Sequence, residues 1–192
     1  MLQTDALKED IVFRAILRGF PLELHSTWGL FSPRAVDVGT HMLVQSLTLR
    51  PPQLMLDLGC GYGAIGLSMA KSCPDGEVHM VDKDFVALAY AAKNAQINHL
   101  DNCRIYPSNG FSAVPVTGFD TIAANLPANV GRELLTILLH DARQHLNPGG
   151  QLWVVTIAGL RQFIRRNFEE VFGNYEKVRQ GKTYTVALAR KD

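Results

Sequence analysis

The chain is 192 residues long, with 47% apolar and 19% charged side chains and a formal net charge of +1. This is the make-up of one globular domain able to bury its own core, and the charge neither demands nor excludes nucleic acid, since a basic face can sit inside a neutral total. No apolar run approaches the ~20 residues that span a bilayer, the polar start MLQTDALKED is not a signal peptide, and Cys60, Cys73 and Cys103, odd in number and without metal-ligand spacing, read as reduced thiols of a cytoplasmic protein with no metal site.

Residues 1–10 read as a loose lead-in. Over 11–25 apolar and polar residues roughly alternate on either side of Arg18-Gly19, which predicts a β-hairpin, with a short helix over 11–17 as the alternative. A loop with two aromatics follows, from His25 through Trp28, Phe31 and Ser32 to Pro33. Residues 37–49 predict an amphipathic helix, ended by Arg50-Pro51-Pro52 because proline cannot continue it.

Strand and helix then alternate. Strands are predicted at 54–58, 77–81, 103–106, 121–125 and 151–156, and helices at 64–72, 85–98, 132–146 and 160–172. Asn147-Pro148-Gly149-Gly150 reads as a turn, and 175–179 with 183–189 as a closing antiparallel hairpin through Gln180-Gly181. The alternation predicts an α/β fold: a doubly wound, mostly parallel seven-stranded sheet with an N-terminal hairpin and helix extension. Residues 1–50 form that extension and 51–192 the core, as a single domain overall. Ligands of such sheets bind at the carboxyl ends of strands. The informative positions are therefore Asp57, Asp82, 106–110 and Asn125.

Around LMLDLGCGYGAIG, residues 54–66, an apolar strand runs into Gly59, Gly61 and Gly63 and then into a helix, the pattern of a nucleotide-binding turn. Gly61 to Gly66 also fit the dinucleotide fingerprint, with Asp82 at a suitable distance. Asp57 argues against a dinucleotide. A carboxylate ahead of the glycines repels a pyrophosphate by several kcal/mol in a partly dry cleft, whereas it attracts a cationic centre. S-adenosylmethionine has an α-ammonium and a sulfonium but no phosphate. Asp82 can accept hydrogen bonds from ribose hydroxyls, which both ligands possess; its plainer role is a helix N-cap, for which Asp84 also qualifies.

Phe119 to Ala128 read as an apolar strand ending in Asn125-Leu126-Pro127. Here the sequence resembles the class I S-adenosylmethionine-dependent methyltransferases, which have a Rossmann-like fold, and among them those that methylate planar nitrogens. In that resemblance the Asn125 side-chain oxygen and a backbone carbonyl of the Asn125-Leu126-Pro127 turn accept hydrogen bonds from the target NH₂. Leu22-Glu23-Leu24, Trp28 to Ser32, Asp37-x-Gly39-Thr40, Gly110-Phe111-Ser112 and Asn147 to Gly150 together resemble the "methyltransferase small" domain of the ribosomal RNA guanine-N2 methyltransferases.

The resemblance implies S-adenosylmethionine as cofactor, held by Asp57, Gly59, Cys60, Gly61, Tyr62, Gly63, Asp82, Lys83, Asn109, Gly110 and Asn125. Cys60 is there a small filler, not a nucleophile, because nothing near it in sequence would activate its thiol. Trp28, Phe31, Ser32, Thr40 and Ala128 fall at the substrate entrance. For Phe31, Ser32 and Thr40 a core aromatic with helix-capping hydroxyls is an equal alternative. Ribosomal RNA or a ribosomal subunit is the implied partner of a monomer or homodimer.

Two positions depart from the family pattern. Asn109 stands where Asp is usual, and an amide oxygen can still accept from an adenine amino group. Ala128 stands where an aromatic stacks on the target base, a contact worth ~1–3 kcal/mol, which Trp28 or Phe31 could replace. A non-catalytic RNA- or partner-binding module, a protein glutamine N-methyltransferase and a dehydrogenase are the alternatives. Arg161, Arg165, Arg166, Lys177, Arg179 and Lys182 form either a phosphate-binding face or a solvated one.

Overall fold

The computed structural model describes residues 10–51, 53–127 and 130–192. The lead-in up to residue 9, Pro52 and the entrance residue Ala128 lie outside them. The chain opens with a hairpin, β1 (Ile11–Leu17) and β2 (Phe20–Ser26). Leu17 pairs with Phe20 across the Arg18-Gly19 turn, in which both residues have positive φ. Helix α1 (Val38–Ser46) is shorter than the apolar pattern predicts. Asp37 caps its start by accepting the Thr40 amide at 2.9 Å.

Seven strands make the main sheet: β3 (Leu54–Leu58), β4 (Glu77–Asp82), β5 (Cys103–Pro107), β6 (Phe119–Asn125), β7 (Leu146–Ile157), β8 (Glu176–Gln180) and β9 (Tyr184–Arg190). Their order is β5-β4-β3-β6-β7-β9-β8. The first five are mutually parallel, and β9 runs antiparallel between β7 and β8. The strand order reverses direction between β3 and β6, so the cleft at the switch point opens above Leu58 and Asn125.

Side chains alternate across the sheet and build two cores. Met55, Met80, Ala123, Trp153 and Val155 point to one face, under α1, α2 (Ala64–Ser72) and α3 (Phe85–Ile97). Leu56, Val81, Ile122, Ala124 and Val154 point to the other, under α4 (Arg132–His145) and α5 (Arg161–Phe172). Helix α5 buries Ile164, Phe168, Val171 and Phe172, one stripe at helical spacing, and ends on Gly173 at φ 74°. Each such large side chain contributes about 1.5–3 kcal/mol by leaving water.

The predicted turn at 147–150 is instead part of β7. Leu146 pairs with Phe119 before the register shifts, Asn147 Nδ2 donates to Gly118 O at 2.6 Å, and Gly149 and Gly150 exchange hydrogen bonds with Lys191. Tertiary pairing thus turns a Pro-Gly-Gly segment into an irregular strand end.

The β1–β2 hairpin is fixed by two asparagines at the end of α3, Asn94 within the helix and Asn98 as its C-cap. Asn94 Oδ1 accepts the His25 amide at 2.7 Å, while its Nδ2 donates to His25 O and to Tyr62 O, both at 2.9 Å. One turn on, Asn98 repeats the pattern with both backbone groups of Glu23. The pair completes the free edge of β2 as a neighbouring strand would, and Asn94 joins that edge to the glycine loop.

Candidate functional site

The loop from Leu58 to Gly63 lies across the end of β4: the amides of Gly59 and Cys60 both donate to Val81 O at 2.9 Å. Gly59, Gly61 and Gly63 have φ of 75°, 55° and 100°, values that L side chains rarely adopt. A Cβ on Gly59 or Gly61 would meet nothing within 4 Å, whereas one on Gly63 would meet Met80 Cε at 2.8 Å. The first two glycines therefore leave their backbone open to the cleft, and the third admits packing on β4.

Asp57 is entirely buried. Its Oδ2 accepts the Gly66 amide at 2.7 Å in the first turn of α2, and its Oδ1 has no hydrogen-bond partner among the described residues. Gly63 occupies the N-cap of α2 without a side chain to cap it, so β3 supplies the carboxylate instead. Burial pushes the Asp57 carboxyl up to about 7, against the Gly66 hydrogen bond, with the charge of Asp82 adding to the rise.

Asp82, at the end of β4, braces the loop. Its Oδ2 accepts the Gly61 amide at 2.9 Å and its Oδ1 the Asp84 amide at 3.0 Å, and it stays partly exposed. The cap of α3 is Asp84, which accepts from Val86 at 2.8 Å. Lys83 is exposed between them. At the end of β5, Ser108 donates its hydroxyl to Gly110 O and its amide to Asp82 O. Asn109 is exposed, and Gly110 has φ 60°. The ends of β3, β4 and β5 thus bring Gly59, Gly61, Asp82, Asn109 and Gly110 to one edge. Cys60 is buried, with its thiol raised by burial, so it is a poor nucleophile.

On the other side of the switch point Asn125 ends β6. Its Nδ2 donates to Asp37 Oδ2 at 3.1 Å and to Thr40 Oγ1 at 2.9 Å. The reverse amide orientation would set an oxygen against the Asp37 carboxylate, so the contacts fix which way Oδ1 faces. Leu126 is buried, its amide donating to Val155 O at 3.0 Å, and Pro127 is exposed.

The loop from Thr27 to Val36 spans the two halves. Tyr62 donates weakly to Ser32 O and Ala35 O, each at 3.4 Å. Ser32 holds a positive φ of 48° and its hydroxyl donates to Ala35 O at 2.7 Å. Phe31 is 64% exposed, which rules out a core role, and Trp28 is 47% exposed with the Arg34 guanidinium 4.5 Å from its ring centroid. Thr40 neither caps a helix nor faces solvent; it is buried against Asn125. Asp37 belongs to this site and Tyr184 packs beside it, though the sequence assigns neither a role there. The spacing Asp37-x-Gly39-Thr40 is the signal that pointed to the first. A separate recess of about 340 Å³ is lined by Arg161, Gln162, Arg165, Tyr175, Lys177 and Gln180. Among the described residues there is no cluster suited to a metal ion, and no helix is long and apolar enough to cross a membrane.

Known proteins match this arrangement over most of its length. YbxB of Bacillus subtilis (strain 168), itself uncharacterized, is 33% identical over 91% of this chain and 89% of its own length. Ribosomal RNA small subunit methyltransferase C of Pseudomonas syringae pv. syringae is 32% identical over 91% of this chain. The solved T. thermophilus 16S rRNA N2 G1207 methyltransferase (RsmC), in complex with AdoMet and guanosine, superposes with a TM-score of 0.85 at 27% identity over 94% of this chain. This chain spans about half the length of the last two, 53% and 50%. The model of the methyltransferase small domain matches residues 21–188, and the chain belongs to that family.

Proposed function

We propose that the protein is an S-adenosylmethionine-dependent N-methyltransferase that acts on an exocyclic amine of a nucleobase in ribosomal RNA, with guanine N2 as the favoured position. The observation that carries the reading is the orientation of Asn125. Its two amide protons are held by Asp37 and Thr40, so its oxygen is the group left to receive an amine at the end of β6.

The residues present fit the methyl donor. The open backbone of Gly59 and Gly61 admits close approach, and Asp82 stands at the strand end where ribose hydroxyls can be bound. Asn109 and Gly110 form the wall after β5, where an adenine edge can be received, with Lys83 at the rim and Cys60, Tyr62 and Gly63 shaping the loop. Asp57 already occupies the amide end of α2, the place where a dinucleotide pyrophosphate would need free N–H groups. Its buried carboxyl leaves one oxygen unpaired, and above about pH 7, where it is ionised, it is a source of negative potential suited to a cationic ligand. When bound, S-adenosylmethionine supplies an electrophilic methyl group on its sulfonium.

The chain's own part is positioning. Asn125 Oδ1 and the turn of Leu126 and Pro127 accept from the target NH₂, which directs its lone pair toward the donor and removes rotational freedom before reaction. Phe31 and Trp28, exposed on the loop whose Ser32 and Ala35 carbonyls receive the Tyr62 hydroxyl, are the available aromatics for stacking on a base. Residues 1–50 are read as an extension on the 51–192 core, from which Asp37 and Thr40 reach Asn125. Arg161, Arg165 and Lys177 in the basic recess can bind phosphates, although Arg165 is paired with Glu169 at 2.9 Å.

A transfer assay with tritiated S-adenosylmethionine on undermodified ribosomes, bare ribosomal RNA and cell protein tests this reading. Label in RNA recovered as an N-methylated base is the expected result. Label only in protein would favour a glutamine amide as acceptor. No transfer, with S-adenosylhomocysteine still bound, would point to a binding module.

A further inference from the structure

The motif Asp37-x-Gly39-Thr40 and Tyr184 meet around one side chain. Asp37 Oδ2 accepts both the Thr40 amide at 2.9 Å and Asn125 Nδ2 at 3.1 Å. Thr40 Oγ1 takes the other contact of Asn125 Nδ2 at 2.9 Å. Tyr184, the first residue of β9, sits beside Asp37, whose carboxylate raises the pKa of its phenol. Its ring lies against Gly39 so closely that a Cβ there would fall 2.7 Å from Tyr184 Cδ1. Asp37 and Thr40 at the start of α1 therefore converge on the Asn125 amide of β6, with Tyr184 of β9 packed beside them.

We propose that Asp37, Thr40 and Tyr184 are a clamp that orients and polarises Asn125, making Asp37 a positioning residue for methyl transfer; this rests on the reading of Asn125 as the amine acceptor. Each part of the motif has a physical task. Asp37 receives an amide proton with a full negative charge, a hydrogen bond stronger than a neutral one. Drawing on the N–H side of an amide strengthens its oxygen as an acceptor, because linked hydrogen bonds polarise one another. Thr40 fixes the second proton so that the amide plane cannot rotate. Gly39 has no Cβ because the Tyr184 ring occupies that space, and the ring packs the start of α1 against β9 beside the Asp37 carboxylate. A helix cap alone requires none of these contacts beyond Asp37 to Thr40.

Asp37→Ser separates the two roles. Serine caps a helix about as well as aspartate but is too short to reach Asn125. Asp37→Asn keeps both reach and cap and loses only the charge. The first readout is the side-chain amide of Asn125 in ¹⁵N-labelled protein without ligand, assigned by its disappearance in Asn125→Ala. In the wild type its protons are expected to be shifted from the free-asparagine position and slow to exchange with water. In Asp37→Ser they are expected to move to the free position while thermal unfolding stays nearly unchanged. A wild-type amide at the free position, or one unmoved by Asp37→Ser, overturns the clamp.

The second readout is methyl transfer to undermethylated ribosomal RNA at saturating S-adenosylmethionine. Asp37→Ser is expected to lower kcat roughly 10- to 100-fold with KM for S-adenosylmethionine nearly unchanged, and Asp37→Asn to recover most of that loss. Added to Asn125→Ala, Asp37→Ser is expected to cost nothing more; an equal further loss overturns the positioning role. If the wild type transfers no methyl group to the RNA, the functional reading fails and the amide resonances alone decide the clamp.

Discussion

Asn125 Nδ2 lies 3.1 Å from Asp37 Oδ2, joining the last residue of β6 to the cap of α1 across 88 positions of chain. With the Thr40 contact, it fixes which way the Asn125 amide is turned. It also ties the end of β6 to the loop before α1 that carries Phe31 and Trp28.

An open glycine of the loop and a packed glycine of α2 should respond differently to a methyl group. Gly61→Ala puts a Cβ into open space at φ 55°, so the unliganded fold loses only about 1–2 kcal/mol of backbone preference. The rise in Tm on adding S-adenosylhomocysteine should largely vanish. Gly66→Ala puts a Cβ 2.6 Å from Met80 Cγ, and its cost of about 1–3 kcal/mol should appear without ligand. Thermal unfolding with and without S-adenosylhomocysteine separates the two.

Asp57 should make stability depend on pH in a window usually quiet for aspartate. Its carboxyl is raised from 3.8 to about 7 by burial, so between those values the folded state holds a proton that the unfolded state has lost. The stabilisation is complete below about pH 4 and is lost as pH rises to about 7. Asp57→Asn keeps an acceptor for Gly66 and removes the titration. Relative to wild type it should gain more than about 1 kcal/mol between pH 5 and pH 8 in urea unfolding. It should also bind S-adenosylmethionine more weakly at pH 8 if the buried charge attracts the sulfonium.

Asn94 carries an edge strand and the glycine loop at once. Asn94→Ala leaves the His25 amide and two carbonyls without their partner. A loss of about 2–4 kcal/mol follows from several buried polar groups left unpaired. Asn94→Asp keeps the acceptor but presents a carboxylate to two carbonyl oxygens, and should be no better. Chemical denaturation of both variants checks this.

The glycine loop, the strand ends and the hairpin were legible because each is set by local pattern: period, turn residues and an acid at a strand terminus. The sequence marks Asp57 as an acid ahead of the glycines, but its position is not legible there. Only the fold shows that it reaches over to cap α2. Asn94 and Asn98 stand four apart on the same face as Ala87 and Ala91, a polar interruption of a buried stripe that could have been flagged. Their partners on β2 could not, because they come from 69 and 75 positions away. Tyr184 was hidden for the same reason, since nothing near it in sequence marks it as a neighbour of Asp37. The segment 147–150 reads as a turn because Pro and Gly dominate it, and only pairing with Phe119 and Lys191 makes it a strand.

The most direct measurement is single-turnover methyl transfer from tritiated S-adenosylmethionine to undermethylated ribosomal RNA by wild type and Asn125→Ala, alongside calorimetry of S-adenosylhomocysteine binding to both. Loss of the amine acceptor should lower the rate by at least about 100-fold, with binding of S-adenosylhomocysteine within a few fold of wild type. Equal rates for the two proteins would contradict the assignment of Asn125 and the chemistry built on it.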